Sequence, residues 1–445
     1  MVAFETLLLG IVTGIWPVRL MVAPPVATVE LRLDSAVVGV MHGPPWALEC
    51  DLGTGPMPHE LTAIGRDASG REVARATQWA NLGRDRARVS ALLEREPGTN
   101  RPAALRLAWE TAEAVQPQSV TATIDGTPLT VADPRRIPLP KVDDDQPHVV
   151  SAEVVFSPRM RERADLAFGG DVVDRVESEL TAVAVTVPST RAALGLRDVQ
   201  GVFSEGGAPL TPVGVDEGHA EVALVVDLSA RAVIAANPRA WEDRSGSQWW
   251  VQEQPLPRDA LGIEADRFRL VGTIPSAIAV SGRERTFFPT SSPVRLAWLS
   301  RHSLSSWLGV RVGSGVQAVA DAAAVAASDV AASNSRRALV LLLAETPGAA
   351  PRVTDISTYD AASVRAYLAA LDVPLAVWSL TGSEPGPLTA AWGPAVAVRD
   401  RWDVQDQAKK LVKALDGQRI VWFAGRHLPQ RIALDESRTA LRLAR

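Results

Sequence analysis

Two polar segments in the C-terminal half carry residue types and spacings that could do chemistry. Asp227 and Ser229 follow the apolar run at 222–226, where a buried strand is expected to end. Ligands of open α/β sheets bind beyond the carboxyl ends of the strands, and hard divalent cations such as Mg²⁺ prefer oxygen ligands. We therefore predict Asp227 and Ser229 as metal ligands, and we place Ser314 and Glu345 on the rim of the same site.

Arg231 argues against a bound cation at this position. Its guanidinium is a fixed positive charge close to Ser229 in the chain, and like charges repel. Asp227 and Ser229 could instead form a turn at the strand end, with the aspartate accepting backbone N–H groups. No cofactor is expected, and Mg²⁺ or another divalent cation is the alternative.

Enzyme motifs in the sequence are incomplete. The segment GSGVQA at 313–318 matches the dinucleotide fingerprint G-x-G-x-x-A, but that fingerprint requires an acidic residue about 20 positions further on. Glu345 lies 30 residues beyond Gly315, so we predict no nucleotide site. Motifs of the G-x-S-x-G, Walker and H-E-x-x-H types are absent from the sequence. We assign no catalytic residue.

A hydrolase is the alternative function, because distant residues can converge in a folded chain. Its site would combine Asp227, Ser229 and Glu345 with a histidine. The histidines are scattered over both halves of the chain: His42, His59, His148, His219, His302 and His427.

Composition limits the other function classes. The chain has 445 residues, of which 47% are hydrophobic and 22% are charged, as is typical of folded domains. Acidic residues outnumber basic ones by 51 to 46, giving a net charge of -5, so we predict no nucleic-acid partner. Cys50 is the single cysteine, which excludes an intrachain disulfide. It lies on the apolar face of an alternating segment, which predicts a core position rather than a nucleophile.

The N-terminal half contains an internal repeat. The segment TVELRLD, which ends at Asp34, matches SVTATID, which ends at Asp125, and the pair Pro58 and His59 recurs as Pro147 and His148. The period of about 90 residues is typical of an immunoglobulin-like sandwich. We predict two such modules, at 1–84 and 85–172. The repeated histidine has no second ligand at metal spacing, so it is interpreted as a residue that begins a strand.

A β-rich connector at 173–217 is predicted to lead into an α/β domain at 218–445. Apolar runs at 222–226, 339–343, 375–377 and 420–423 are continuous rather than alternating, which is typical of parallel strands that are buried on both faces. Helical spacing follows in three segments, which favours an open, doubly wound sheet. The helix-spaced residues are Val316, Val319, Ala323 and Val330; Val364, Tyr367, Leu368 and Leu371; and Val404, Ala408, Leu411, Val412 and Leu415.

Two segments fit these patterns less well. An insertion near 238–300 is rich in Pro, Trp and Arg, and its tryptophans Trp241, Trp249 and Trp250 would mark a partner surface if they are exposed. The N-terminal run at 7–16 is apolar, but the residues before it include Glu5 and no Lys or Arg, which makes it a weak export signal. It is too short to span a bilayer. We predict an edge strand around Ile11, Thr13 and 18–22, and no transmembrane segment.

Several segments carry a resemblance to a protein family. They are VELRLD at 29–34, GPPWALECDLG at 43–53, RDASGREVARATQW at 66–79, RRALVLLL at 336–343, VPLAVWSL at 373–380 and QRIVWFAGRHLPQ at 418–430. Together with the Asp-x-Ser segment they resemble the bacterial, acidobacterial-type VWFA-related proteins. The resemblance implies N-terminal immunoglobulin-like modules and a diverged von Willebrand factor type A domain, often exported to the cell envelope.

The resemblance also implies a metal-ion-dependent adhesion site that begins Asp-x-Ser-x-Ser. Asp227 and Ser229 match this pattern, but Arg231 stands in place of the second serine. The threonine expected from a second loop is replaced by Ser314, and the aspartate expected from a third loop by Glu345. We therefore expect a noncatalytic protein of the binding, adhesion or structural type, with a degenerate adhesion site and a protein partner.

Overall fold

The computed structural model describes most of the chain. The described residues are 1–82, 87–96, 99, 101–111, 115–142, 146, 148–157, 160–169, 180–188, 194–217, 220–236, 267–280, 283–288, 294–295, 315–332, 335–344, 353–380 and 387–445. They form two compact units. The first unit is Met1–Glu177 with Ile278–Arg285, and the second is Ser178–Ala277 with Thr286–Arg445.

Some strands before residue 170, such as Glu72–Ala80, alternate buried and more exposed side chains, and such strands cover a core with one face. The strands before residue 170 are β1 Val2–Phe4, β2 Ile15–Val22, β3 Thr28–Leu33, β4 Ala36–Met41, β5 Ala47–Asp51, β6 His59–Arg66, β7 Glu72–Ala80, β8 Ala87–Arg95, β9 Pro102–Thr111, β10 Ser119–Ile124, β11 Thr127–Pro128, β12 Arg136–Pro138, β13 His148–Ser157 and β14 Met160–Phe168.

These strands form two β sandwiches in succession. In the first, the sheet β1-β2-β5 packs against the sheet β4-β3-β6-β7, and Val18, Leu31 and Leu61 lie in the shared core. In the second, the sheet β11-β10-β13-β14 packs against β12-β9-β8, with Leu105 and Val150 in the core. The strand pairs are antiparallel. The prediction of tandem β-sandwich modules is therefore confirmed.

The N-terminal strand differs from its prediction in two respects. Ile11 and Thr13 precede the strand, which runs from Ile15 to Val22. The strand is also central rather than at an edge, because β1 pairs with one side of it and β5 with the other. Pro17 pairs only with Glu49 of β5, so the missing proline N–H interrupts no ladder on the β1 side.

Cys50 is completely buried in the core of the first sandwich. Burial, with the nearby carboxylates of Asp51 and Asp34, raises the pKa of its thiol to about 11. At neutral pH we expect iodoacetamide to alkylate Cys50 roughly 100-fold more slowly than in the chain unfolded by guanidinium chloride. Mass spectrometry of the time course measures both rates. Equal rates would place the thiol outside the core.

The strands after residue 180 include a group that is buried on both faces. They are β15 Leu180–Thr186, β16 Phe203–Glu205, β17 Ala208–Leu210, β18 Pro212–Asp216, β19 Ala220–Val226, β20 Arg267–Gly272, β21 Ser276–Val280, β22 Arg283–Phe287, β23 Val294–Arg295, β24 Val316–Gln317, β25 Arg336–Leu343, β26 Thr354–Asp355, β27 Leu375–Ser379, β28 Ala395–Ala397, β29 Gln418–Ala424, β30 Ile432–Leu434 and β31 Arg442–Leu443.

The three predicted helical segments are confirmed, and the described residues contain further helices that were not predicted. The helices are α1 Leu196–Val199, α2 Leu228–Ala236, α3 Val319–Ala331, α4 Ala361–Ala370, α5 Pro387–Ala391 and α6 Arg401–Asp416, with a 3₁₀ turn at Pro429–Arg431. Val316 lies in β24 and not in the helix that follows it. Asp360 caps α4 by accepting from the backbone N–H of Ser363, and Asp400 caps α6 by accepting from those of Trp402 and Asp403. Among the described helices, none has the length and apolar character that a bilayer crossing requires.

A mostly parallel sheet lies at the centre of the second unit. Within the described residues its strand order is β23-β20-β19-β25-β27-β28. The pairs from β20 to β28 are parallel, and only β23 is antiparallel to its neighbour. Alternate residues of β19 share one core with α2 and α6, whereas α3 contacts β19 and β25 from outside that core. Helices therefore cover both faces, which explains the continuous apolar runs.

The prediction for the run at 420–423 is wrong. This run forms β29, which pairs antiparallel with β15 and β18 in a separate sheet ordered β18-β29-β15-β31. Val421 and Phe423 face one core and Ile420 faces another. An antiparallel strand that is covered on both sides has the same continuous apolar pattern as a parallel one. The segment at 173–217, which was predicted as a connector, thus supplies β15 and β18, the two strands that flank β29.

Part of the predicted insertion is a strand of the parallel sheet. Residues 267–272 form β20, which pairs with β19 along its whole length. Residues 276–280 and 283–287 form the two-stranded sheet of β21 and β22. Trp241, Trp249 and Trp250 lie outside the described residues.

Candidate functional site

Asp227 is the centre of a buried polar network at the carboxyl edge of the parallel sheet. It follows β19 directly, and its side chain is completely buried. Its Oδ1 accepts hydrogen bonds from the backbone N–H of Ser229, at 2.9 Å, and from Nε2 of Gln317, at 2.7 Å. Its Oδ2 accepts from the backbone N–H of Ala344, at 3.2 Å. Three N–H groups thus compensate the charge of the carboxylate.

Gln317 connects the ends of three strands. While its Nε2 donates to Asp227, its Oε1 accepts from the backbone N–H of Leu228, at 2.9 Å, and from Oγ1 of Thr273, at 3.1 Å. The Thr273 hydroxyl also lies 3.2 Å from the carbonyl oxygen of Val226. Gln317 and Thr273 are both buried. Since every polar atom of the Gln317 amide has a partner, the network specifies one arrangement of β19, β20 and β24.

Burial raises the pKa of Asp227, while the hydrogen bonds from Ser229, Gln317 and Ala344 oppose the rise. The negative charge of Asp355 adds to the rise. Asp355 ends β26, and its own carboxylate accepts from the backbone N–H and the hydroxyl of Ser357, at 2.8 and 2.6 Å. The edge of the sheet therefore carries two carboxylates, both held by N–H or O–H donors of the protein.

Ser229 and Arg231 lie in the first turn of α2, next to Asp227 in the chain. The backbone N–H of Arg231 donates to the carbonyl oxygen of Asp227, at 3.1 Å. Arg231 is half-buried, and burial lowers the pKa of its guanidinium. Its Nε is buried and has no hydrogen-bond partner among the described residues.

The structure shows where two of the four predicted site residues lie. Asp227 and Ser229 stand together at the edge of the sheet, where they were expected. Ser314 and Glu345 lie outside the described residues, so their placement stays a prediction. In the part of the chain that the structure describes, no cluster of three or more His, Cys, Asp or Glu side chains could hold a metal ion.

Three residues of the network were not predicted: Thr273, Gln317 and Asp355. Gln317 is part of the segment GSGVQA. Its position, as a polar residue just before an apolar helix, is the sequence signal that could have identified it. Thr273 follows β20, which lies in the segment near 238–300 that was predicted from its composition to be an insertion. Asp355 comes 10 residues after Glu345, the acidic residue that the sequence favours because it lies two positions after the apolar run at 339–343.

The repeated histidines form the same contact in both sandwiches. Nδ1 of His59 lies 2.5 Å from Oδ2 of Asp34, and Nδ1 of His148 lies 2.6 Å from Oδ2 of Asp125. Each histidine begins a strand, as predicted. Each aspartate follows a strand and has a positive φ, of 51° and 49° respectively, which aspartate tolerates in tight turns. The pair therefore fixes the turn to the neighbouring strand, and the repeat has a structural cause.

The other histidines do not supply a catalytic group to Asp227 within the described residues. Nδ1 of His427 lies 2.7 Å from Oε2 of Glu205, and its Nε2 lies 2.9 Å from the carbonyl oxygen of Ala424. His42 is exposed in the first unit. His219 and His302 lie outside the described residues. Among the described residues, the Asp227 carboxylate thus accepts hydrogen bonds from backbone and side-chain amide N–H groups.

No protein-family model and no curated protein matches the chain. Fibronectin(III)-like modules of Clostridium thermocellum CbhA overlap with 38% of this chain and 94% of theirs, at 13% identity and a TM-score of 0.16. The central fibronectin-III array of RIM-binding protein overlaps with 41% of this chain and 78% of its own, at 10% identity and a TM-score of 0.18.

A β-glucuronidase from glycoside hydrolase family 2 overlaps with 40% of this chain and 20% of its own, at 12% identity and a TM-score of 0.14. TM-scores this low carry no inference about function. Fibronectin type III modules share the β-sandwich architecture, which the strand pairing of residues 1–169 shows directly in this chain.

Proposed function

We propose that the chain is a noncatalytic protein of the binding, adhesion or structural type, with a degenerate metal-ion-dependent adhesion site at Asp227. The observation that carries the proposal is the set of N–H donors around the Asp227 carboxylate. Ser229, Gln317 and Ala344 all donate to it. A carboxylate that is already compensated by amide donors gains less from a cation, and it is a poor general base when it has no histidine partner.

The sheet supports the comparison with a diverged von Willebrand factor type A domain. In chain order, its strands are arranged third, second, first, fourth, fifth and sixth, an order common to doubly wound sheets. Asp227 follows the first of these strands. The amide of Gln317, which approaches from 90 residues further along the chain, takes the role of electrostatic partner that a cation would have in an intact site.

Exposed apolar side chains at the same edge support a protein partner. Ile274, Val316 and Ile356 are 48%, 47% and 53% exposed. Ile274 and Val316 directly follow and precede the network residues Thr273 and Gln317, and the backbone N–H of Ile356 donates to the carbonyl oxygen of Gln317 at 2.8 Å. Exposed apolar groups that lie together are typical of interaction surfaces.

A test of the degenerate site is the response of thermal unfolding to metal. We expect the unfolding midpoint of the second unit to be the same, within about 1 °C, in excess Mg²⁺ and in EDTA, because a cation that does not bind the native state cannot stabilise it. Differential scanning calorimetry measures the midpoint. A rise of several degrees in Mg²⁺ that EDTA reverses would contradict the proposal and restore an intact adhesion site.

A further inference from the structure

Strand β4 lies at the edge of its sheet and lacks two common protections of an edge. It pairs with β3 on one side, and among the described residues no strand pairs with its other side. In an antiparallel ladder, every second residue of an edge strand directs its backbone N–H and C=O groups away from the sheet. Residues 36–41 include no charged residue and no proline, both of which keep edges from pairing with another chain. The backbone of β4 is therefore suited to accept a further strand.

The second sandwich differs at the corresponding edge. Its edge strand β11 follows the turn at Asp125 as β4 follows the turn at Asp34, but it has only two residues, one of which is Pro128. Proline has no backbone N–H to donate, and a short edge strand offers few groups for pairing. β4 has six residues and two exposed valines, Val37 at 55% and Val40 at 44%. The two modules share a repeat but differ in this edge, which favours a role for β4 that β11 does not have.

The exposed valines of β4 complement a second copy of the same strand. In an antiparallel pairing about a twofold axis through the centre of β4, Val37 of one copy lies opposite Val40 of the other. On β3, Glu30 is the neighbour of Val40, and Arg32 is the neighbour of Val37. Each row across the contact then contains four side chains in order: Glu30, Val40 and, from the second copy, Val37 and Arg32. Each pair of valines thus has an acidic group at one end and a basic group at the other.

The shape of β4 also favours a second copy over an unrelated strand. β4 contains a β-bulge at Val38, which has no partner residue in its ladder with β3. A bulge increases the local twist of its strand, and neighbouring strands of a sheet twist together. A second β4 has the same bulge and therefore the same twist. The start of β4 is held in place as well, because the Asp34 carboxylate accepts from the backbone N–H of Glu60 at 3.0 Å.

We propose that two copies of this chain form a homodimer through β4, which pairs antiparallel with β4 of the second copy so that Val37 lies opposite Val40. The four-stranded sheets of the two first sandwiches then join into one continuous sheet. The contact is separate from the site at Asp227 and does not depend on it. A contact between two strands of six residues is small for a protein interface, so we expect a dissociation constant on the order of 10 µM.

Sedimentation equilibrium of the full chain at concentrations from ~1 to ~300 µM tests this inference. We expect Val40→Lys to weaken dimerisation at least ~10-fold, because it places a charge opposite an apolar side chain, and Val37→Glu to do the same. The double variant with both substitutions should recover dimerisation, since the new acidic and basic groups then face each other across the contact. Both valines are exposed, so we expect all three variants to fold.

The matched control is Val149→Lys. Val149 is 49% exposed on β13, a strand with a neighbour on each side, so this variant should dimerise like the unaltered chain. A chain that stays monomeric over the whole concentration range would overturn the proposal and leave the edge to a strand of a different protein. A dimer that neither single substitution weakens would place the contact elsewhere and also overturn it. Weakened single variants with no recovery in the double variant would contradict the pairing of Val37 with Val40.

Discussion

Replacing Gln317 with alanine is expected to lower the free energy of unfolding of the second unit by about 3 kcal/mol. The substitution removes the hydrogen bond to the buried Asp227 carboxylate and leaves the backbone N–H of Leu228 without its side-chain acceptor. It also removes an acceptor of the Thr273 hydroxyl. Buried polar groups that lose their partners cost far more than exposed ones, so the loss should be large for a single side chain.

Urea unfolding, monitored by hydrogen exchange of the backbone amides of β19, measures this change in the free energy of unfolding. The matched control is Gln405→Ala, at a partly exposed position of α6, where we expect a change below about 0.5 kcal/mol. Gln317→Glu keeps the shape but replaces the N–H donor with a second carboxylate. It should be destabilising at neutral pH and should recover as the pH falls, because protonation of either carboxyl restores a donor. An alanine variant as stable as the control would show that the network contributes nothing.

Replacing Asp372 with alanine is expected to cost about 4 kcal/mol. The Asp372 carboxylate is completely buried, and Oδ1 accepts from Nε of Arg445 at 2.8 Å. The buried guanidinium of Arg337 donates from Nε to the Asp372 carbonyl oxygen, at 3.2 Å. The negative charge of the Asp372 carboxylate also favours the charged form of Arg337. Removing the carboxylate therefore leaves the buried Arg337 guanidinium with backbone carbonyl acceptors but, among the described residues, no negative charge near it, and breaking a buried ion pair in this way is costly.

Backbone strain contributes to the same variant and can be separated from charge. Asp372 has a φ of 51°, which costs alanine roughly 1 kcal/mol but costs glycine little. Asp372→Gly should therefore be less destabilising than Asp372→Ala by about that amount. The surface control is Asp416→Ala, whose exposed carboxylate lies 3.4 Å from Arg336 and should contribute below about 1 kcal/mol. A variant at Asp372 that unfolds at the same urea concentration as this control would contradict the prediction.

Local patterns predicted most of the elements, because burial is periodic along a strand or helix. The alternating segments of the N-terminal half became the strands of two sandwiches, and the helix-spaced segments became α3, α4 and α6. The repeat of Asp34 and His59 as Asp125 and His148 was visible in the sequence. Their contact was not, because spacing alone does not show that a turn and a strand start lie side by side.

The sequence by itself determined most of the strands and helices, which of their faces are apolar, and that Asp227 and Ser229 follow a buried strand. Only the tertiary structure decided which partner each strand has and which side chains meet. The apolar run at 420–423 is covered on both faces in either kind of sheet, so its pattern could not reveal antiparallel partners. Gln317 reaches Asp227 across 90 residues. A polar residue carries no sequence mark of the distant group that satisfies it, since that contact exists only when the strands are assembled.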